Sequence, residues 1–212
     1  MERTVSIIVS VVAILIAYLF GSIPMGYLVA RLYGVDVTKS GSGRIGGTNV
    51  LRAAGAPAAG LTVLGDILKG LIPVYFIIIL GHPLTSALAA SATVIGHNYS
   101  IFLRFRGGVG AGTAIGSVAA LSFPVALFAG AGGLIGLAIS RFASILSTTI
   151  AVTSLIGFII SAWLGYTPYE YIITGVINLL VMFYALRPNF ARIRAGTERR
   201  IGRKSENITK TS

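Results

Sequence analysis

The chain has no cysteine, so neither a disulfide framework nor thiol chemistry enters its reading. Charge is scarce as well. Only 11% of the 212 residues are charged, against about 25% in ordinary soluble domains. Carboxylates are scarcer still, with 6 Asp and Glu against 17 Lys and Arg. What fills the chain is apolar: 55% of residues are hydrophobic and the mean hydropathy is +0.86. These absences exclude a soluble domain and place the chain in a bilayer.

Apolar runs cover residues 5–32, 61–80, 84–103, 109–139, 145–164 and 169–186. Each is near or above the ~18 residues expected of a spanning helix. The run 109–139 is the exception, because about 31 residues at ~1.5 Å each overshoot a ~30 Å hydrocarbon core, and Pro124 interrupts it. Charge parity chooses between one kinked span and two short ones. Basic residues favour the cytoplasmic side, and they gather at 31–52, at Arg104 and Arg106, at Arg141 and from Arg187 onward. If 109–139 crosses twice, turning near 122–124, all four groups share one side; a single crossing separates them. The expectation is an all-α polytopic bundle of seven spans, two of them short, with the N-terminus outside and the C-terminus cytoplasmic. Residues 1–212 form one domain, and 187–212 are a basic cytoplasmic tail with a disordered end. Trp163, Tyr166, Tyr169 and Tyr171 then fall where an interfacial aromatic belt belongs.

The net charge of +11 reads as this topology signal plus attraction to anionic lipid headgroups. Nucleic acid is excluded as a partner, because no soluble domain presents a basic face. The first apolar run is too long for a signal peptide and lacks a clear small-residue cleavage site, so it is a retained span. Asn98-Tyr-Ser and Asn207-Ile-Thr fit the glycosylation pattern but fall on or near the cytoplasmic side.

Against this background four polar patches stand out. Residues 39–55, KSGSGRIGGTNVLRAAG, combine Ser42, Thr48, Asn49, Lys39, Arg44 and Arg52 with glycines that turn backbone N–H groups toward an anion. Gly107, Gly108 and Gly110 lead into a helix from Ala111, a second phosphate cradle flanked by Arg104 and Arg106. Ser144, Ser147 and Thr148 lie about one turn apart at a helix start, where N-capping is the plain reading. Asn189, Arg192 and Glu198 open the tail, whose plain reading is an amphipathic stub on lipid. Gly130, Gly132, Gly133 and Gly136 are read as packing residues only. Inside the second span Asp66 and Lys69 share a helix face: either a neutralised pair locking two helices, or a Lys snorkelling to an anion near the glycine-rich loop. His97 reads first as a packing or hydrogen-bonding residue.

GSIPMGYL (21–28), GSGRIGGTNVLRAAG (41–55), GDILKGLIP (65–73), GHNYSIFLRFRGGVG (96–110), SRFASILS (140–147) and NFARIRAGTE (189–198) occur in this order. Together they resemble the membrane glycerol-3-phosphate acyltransferases that use acyl phosphate as donor. That family's first motif reads GSGNxGATNxxRxxG, so its Ser and Arg fall on Ser42 and Arg52, with Thr48 and Asn49 also matching. Its glycine loop GGKG falls on 107–110, its serines on Ser144 and Ser147, and its last Asn and Glu on Asn189 and Glu198. The resemblance implies seven spans in a bacterial inner membrane and a cytoplasmic site. Fatty acyl transfer from acyl phosphate to the 1-hydroxyl of glycerol 3-phosphate would give lysophosphatidate and phosphate. Ser42, Arg52, Ser147, Asn189 and Glu198 are the expected catalytic residues. Arg44, Thr48, Asn49, Lys69, His97, Gly107, Gly108, Gly110 and Ser144 are the expected substrate-binding residues. No cofactor and no metal are expected; the partners are the two substrates, membrane lipids and, as a candidate, the enzyme that makes acyl phosphate.

Three positions depart from that pattern: Val109 replaces the loop Lys, Arg44 an Asn and Gly47 an Ala. Loss of the loop ammonium keeps two alternatives open, a protein that binds or moves a phosphorylated ligand without transfer, and an acyltransferase for another polyol phosphate. Neither His82 nor His97 has an Asp five positions on, so there is no His-x4-Asp dyad. An acyl phosphate is already an activated mixed anhydride, and positioning with charge neutralisation suffices for it.

Overall fold

The computed structural model describes residues 2–202, which among themselves contain helices and turns and no strand. The helices are α1 (Glu2–Ser22), α2 (Met25–Leu32), α3 (Gly47–Ile78), α4 (Pro83–Asn98), α5 (Ala111–Leu121), α6 (Phe123–Ser140), α7 (Ala143–Trp163) and α8 (Tyr171–Arg194). The expected disorder beyond residue 202, and the Asn207 sequon, lie outside the described residues.

Among the described residues, five stretches are long and apolar enough to cross a membrane: Ile7–Leu32, Gly47–Ile78, Phe123–Ser140, Ala143–Trp163 and Tyr171–Arg194. The long run 109–139 divides where the proline predicted, because Ser122 is extended (φ −160°, ψ 107°) between α5 and α6, and the two helices pack on one another. Three boundaries differ from the sequence reading. The first run is cut at Ile23 and Pro24 into α1 and α2. The polar loop ends early, since α3 begins at Gly47 and carries its kink at Gly55 (φ 87°, ψ 177°), two residues before Pro57. The tail begins as helix, because α8 runs through Pro188 to Arg194.

The bundle is held by close backbone contact. α1 packs on α4, α3 on α5, α6 on α7, and α8 against both α7 and α4. In α5, Gly116 lies against the Ile67 carbonyl of α3, and Gly70 of α3 lies against Thr113 of α5. Gly132, Gly133 and Gly136 of α6 receive Thr153, Ile150 and Thr149 of α7, whereas Gly130 touches only Ile115. Lipid tails are as apolar as Leu, so small residues that let helices approach hold such a bundle together. Large apolar side chains accordingly face outward, among them Ile7, Leu15, Phe76, Ile79, Leu134 and Ile139. Trp163, Tyr166 and Tyr169 are exposed as an aromatic belt requires, but Tyr171 is buried and packs edge-on against Phe158, ring centroids 6.0 Å apart. It belongs to the central cluster with Val74, Ala90, Val118, Val125 and Phe158, where α3 to α8 converge.

The break between α1 and α2 leaves carbonyls without helical partners. Ser100 Oγ donates to the Ser22 carbonyl at 2.6 Å, and Lys69 Nζ donates to the Ile23 carbonyl at 2.7 Å. An unpaired carbonyl in hydrocarbon would be costly, so these two side chains, with the Met25 N–H that also reaches the Ile23 carbonyl at 3.0 Å, make a broken first helix tolerable.

Candidate active site

The first-motif loop is organised from inside by Asn49. Its buried Nδ2 faces the carbonyls of Val37 (3.2 Å), Ser40 (3.0 Å) and Arg44 (2.8 Å), and its Oδ1 accepts from the Ser42 N–H at 3.2 Å. Every polar atom of Asn49 is therefore spent on loop shape. Gly41 has φ 58°, and a Cβ there would overlap Asn49 Oδ1, which is why this turn needs glycine. Ser42 is left exposed, its Oγ accepting only a long bond from the Arg44 N–H (3.4 Å).

From this loop Arg44 reaches across to α8. Its Nη1 donates to Asn189 Oδ1 at 2.9 Å and its Nη2 to the Ala185 carbonyl at 2.6 Å. Asn189 Nδ2 passes the chain to Glu198 Oε1 at 2.7 Å, and Arg192 Nε closes it on Glu198 Oε2 at 2.6 Å. Burial and neighbouring Arg192 press the Arg44 pKa down while Glu198 opposes them; a guanidinium stays charged throughout. Asn189, Arg192 and Glu198, named together from the sequence, are thus joined directly.

The stretch after α8 crosses the same end of the bundle. The Arg199 carbonyl accepts from Arg52 Nη2 at 3.4 Å, the Ile201 N–H donates to the Arg141 carbonyl at 2.8 Å, and the Arg200 guanidinium lies 5.4 Å from the Phe142 ring centre. The first-motif loop, the tail and the α6–α7 junction are thus joined. Ser144 and Ser147 sit just beyond that junction, both buried. Ser147 Oγ donates back to the Ala143 carbonyl at 3.1 Å, while Ser144 Oγ has no partner among the described residues.

The glycine turn is seated on the end of α4. The Gly108 N–H donates to the His97 carbonyl at 3.1 Å. A Cβ on Gly107 would collide with that carbonyl, and one on Gly108 with the His97 ring. Val109, standing where an ammonium is expected, packs instead against the cluster of Val94, Ala114, Ala151 and Met182. Val63 of α3 links this region to the first loop, lying against both Gly47 and Gly112. Thr48 borders an open apolar groove between the two arms of α3, lined also by Leu51, Gly60, Val63 and Leu64.

Lys69 does not snorkel to the loop. Its ammonium is buried, 2.9 Å from Asp66 Oδ1, which also takes His97 Nδ1 at 3.3 Å; Thr113 Oγ1 lies 3.3 Å from the same nitrogen. This set ties α3, α4 and α5 to the α1–α2 break, the helix-locking reading of the pair. His97 consequently has its ring fixed from below and supports the glycine turn from above. The i, i+3 spacing announced Asp66 and Lys69; no local spacing could have announced His97 as their third member.

A family model described as glycerol-3-phosphate acyltransferase matches residues 11–196. A glycerol-3-phosphate acyltransferase of Rubrobacter xylanophilus is 42% identical over 196 residues, spanning 92% of this chain and 96% of the relative. One of Thermus thermophilus is 43% identical over 195 residues, spanning 91% and 96%. The crystal structure of PlsY (YgiH), an integral membrane glycerol 3-phosphate acyltransferase, is similar in its glycerol 3-phosphate form with a TM-score of 0.83 and 33% identity, covering 91% of this chain and 96% of that one. Its lysophosphatidic acid form gives 0.82 and 34%, over 91% and 95%. With the sequence match running from α1 to the end of α8 and the helices superposing over the same extent, the chain belongs to the glycerol-3-phosphate acyltransferase family.

Proposed function

We propose that this protein transfers a fatty acyl group from acyl phosphate to the 1-hydroxyl of glycerol 3-phosphate, at the cytoplasmic face of a bacterial inner membrane. The observation that carries the reading is the hydrogen-bonded chain from Arg44 through Asn189 and Glu198 to Arg192, built by the same motifs in a chain of this family. Three guanidinium groups, Arg44, Arg52 and Arg192, lie within electrostatic reach of Glu198, and Arg199 lies within reach of Arg52, an electropositive setting for phosphate esters. The glycerol hydroxyl oxygen attacks the acyl carbonyl carbon, the bond from that carbon to the phosphate oxygen breaks, and the departing phosphate carries away the hydroxyl proton. Arg52 and Ser42 hold the acceptor phosphate, the 107–110 turn holds the donor phosphate, and Ser147, Asn189 and Glu198 orient the reacting groups. Lys69 and His97 serve from behind the turn, and Asn49 from inside the loop. The groove beside Thr48 offers an apolar surface for the acyl tail.

Seven crossings are assigned to α1 with α2, α3, α4, α5, α6, α7 and α8, with the N-terminus outside. At ~1.5 Å per residue, α5 with its 11 residues spans about half the hydrocarbon core. The basic tail, and docking by the enzyme that supplies acyl phosphate, belong to the cytoplasmic side. Purified protein given acyl phosphate and glycerol 3-phosphate should release phosphate only when the acceptor is present. Release with another polyol phosphate alone would reassign the acceptor, and no release under any condition would overturn acyl transfer.

A further inference from the structure

Asn98, the last residue of α4, is only 5% exposed, yet neither Oδ1 nor Nδ2 has a hydrogen-bond partner among the described residues. A buried carboxamide left unpaired is expensive, because both its donors and its acceptor have given up water. Its position gives the reason for keeping it. The side chain points at Gly110, where a Cβ would stand 2.8 Å from Asn98 Oδ1, and its own carbonyl lies against Gly107. Gly110 is the N-cap of α5 at φ 89° and supplies no side-chain cap. The first N–H groups of that helix therefore lack both a helical and a capping partner.

We infer that Asn98 is a phosphate-binding residue: with the phosphoryl group of a substrate seated on the uncapped N-terminus of α5, Asn98 Nδ2 donates to one of its oxygens. The inference rests on the acyl-transfer reading for which substrate brings the phosphoryl group, but not for the site itself. An amide supplies a fixed neutral donor where Val109, half-buried against an apolar cluster, offers none. The helix end and the flanking Arg104 and Arg106 supply the positive field.

The test uses two near-isosteric variants of the full chain, Asn98→Asp and Asn98→Leu. Asp places a carboxylate beside the phosphate, and Leu fills the space with an apolar group. In turnover assays both should raise KM for one substrate about tenfold or more, the loss of a hydrogen bond to a charged group, with Asp the worse. Which KM rises, that for acyl phosphate or for glycerol 3-phosphate, identifies the source of the phosphoryl group. Unchanged KM values for both substrates overturn the assignment, and a Leu variant of higher thermal midpoint with wild-type KM marks Asn98 as a packing defect only. A second readout does not need turnover. Inorganic phosphate should raise the thermal midpoint of the wild type and not that of Asn98→Asp; an equal effect on both, including none, overturns the site. A wild type inert in acyl transfer but still protected by phosphate sinks the reaction and spares Asn98.

Discussion

Arg52 and Arg44 show how differently two guanidiniums of one loop are used. Arg44 is half-buried and committed to Asn189 and Ala185. Arg52 is exposed, with a single 3.4 Å bond to a backbone carbonyl, so most of its donors are available to a ligand. Arg52→Ala should therefore reduce turnover by a thousandfold or so, the scale of losing an electrostatic clamp, with no change in thermal midpoint; near-normal turnover in the phosphate-release assay would remove Arg52 from the site. Arg44→Ala should cost both properties, because Asn189 and the Ala185 carbonyl lose their donor, and a variant that keeps its midpoint would show the chain to be ornamental. Gly108→Ala has no room beside the His97 ring. It should displace the glycine turn and depress kcat more than stability, measured as turnover against melting in detergent. Part of this scale was legible beforehand: the glycines at 41 and 43 marked a loop with glycine-dependent turns. The occupation of Asn49 by three loop carbonyls was not, since no pattern distinguishes an Asn that binds a ligand from one that binds its own backbone.

At the level of elements, the helix ends decide the site. α1 stops at a proline, α4 stops on Asn98, and α5 starts from a left-handed glycine. Apolar runs located α3 through α8 because hydropathy reports burial in lipid. Boundaries were misread where polar sequence is helical, at residues 47–54 and 187–194. There the helix is dictated by docking onto neighbouring elements, which periodicity in one segment does not report. Lys69 belongs to this scale, since its ammonium offsets Asp66 and caps the broken end of α1 together. Lys69→Met would leave a buried carboxylate without its ammonium and the Ile23 carbonyl with only the Met25 N–H, a loss of about 3 kcal/mol or more. The thermal midpoint should fall sharply, and an unchanged midpoint would remove the pair from the fold's supports.

For the molecule as a whole, the absence of cysteine turns topology into an easy experiment, because any cysteine introduced is the only one present. Seven crossings require Phe123→Cys and Tyr166→Cys to react with an impermeant thiol reagent from outside, and Arg106→Cys and Arg200→Cys only from the cytoplasmic side. Labelling of Phe123→Cys from the cytoplasmic side would mean that α5 and α6 do not form two crossings. Charge parity proposes this topology from sequence because Lys and Arg favour the cytoplasmic side. It could not reach the tail's contact with Arg52 and Arg141, which depends on where the bundle finally puts those loops. That contact also sets an order of events in the life of the protein. The hydrogen-bonded chain begins at residue 44 and ends at residue 198, so a ribosome-bound chain carrying only its first helices has half a site. With Asn189 and Glu198 in the proposed site, a chain cut before α8 should release no phosphate in the acyl-transfer assay.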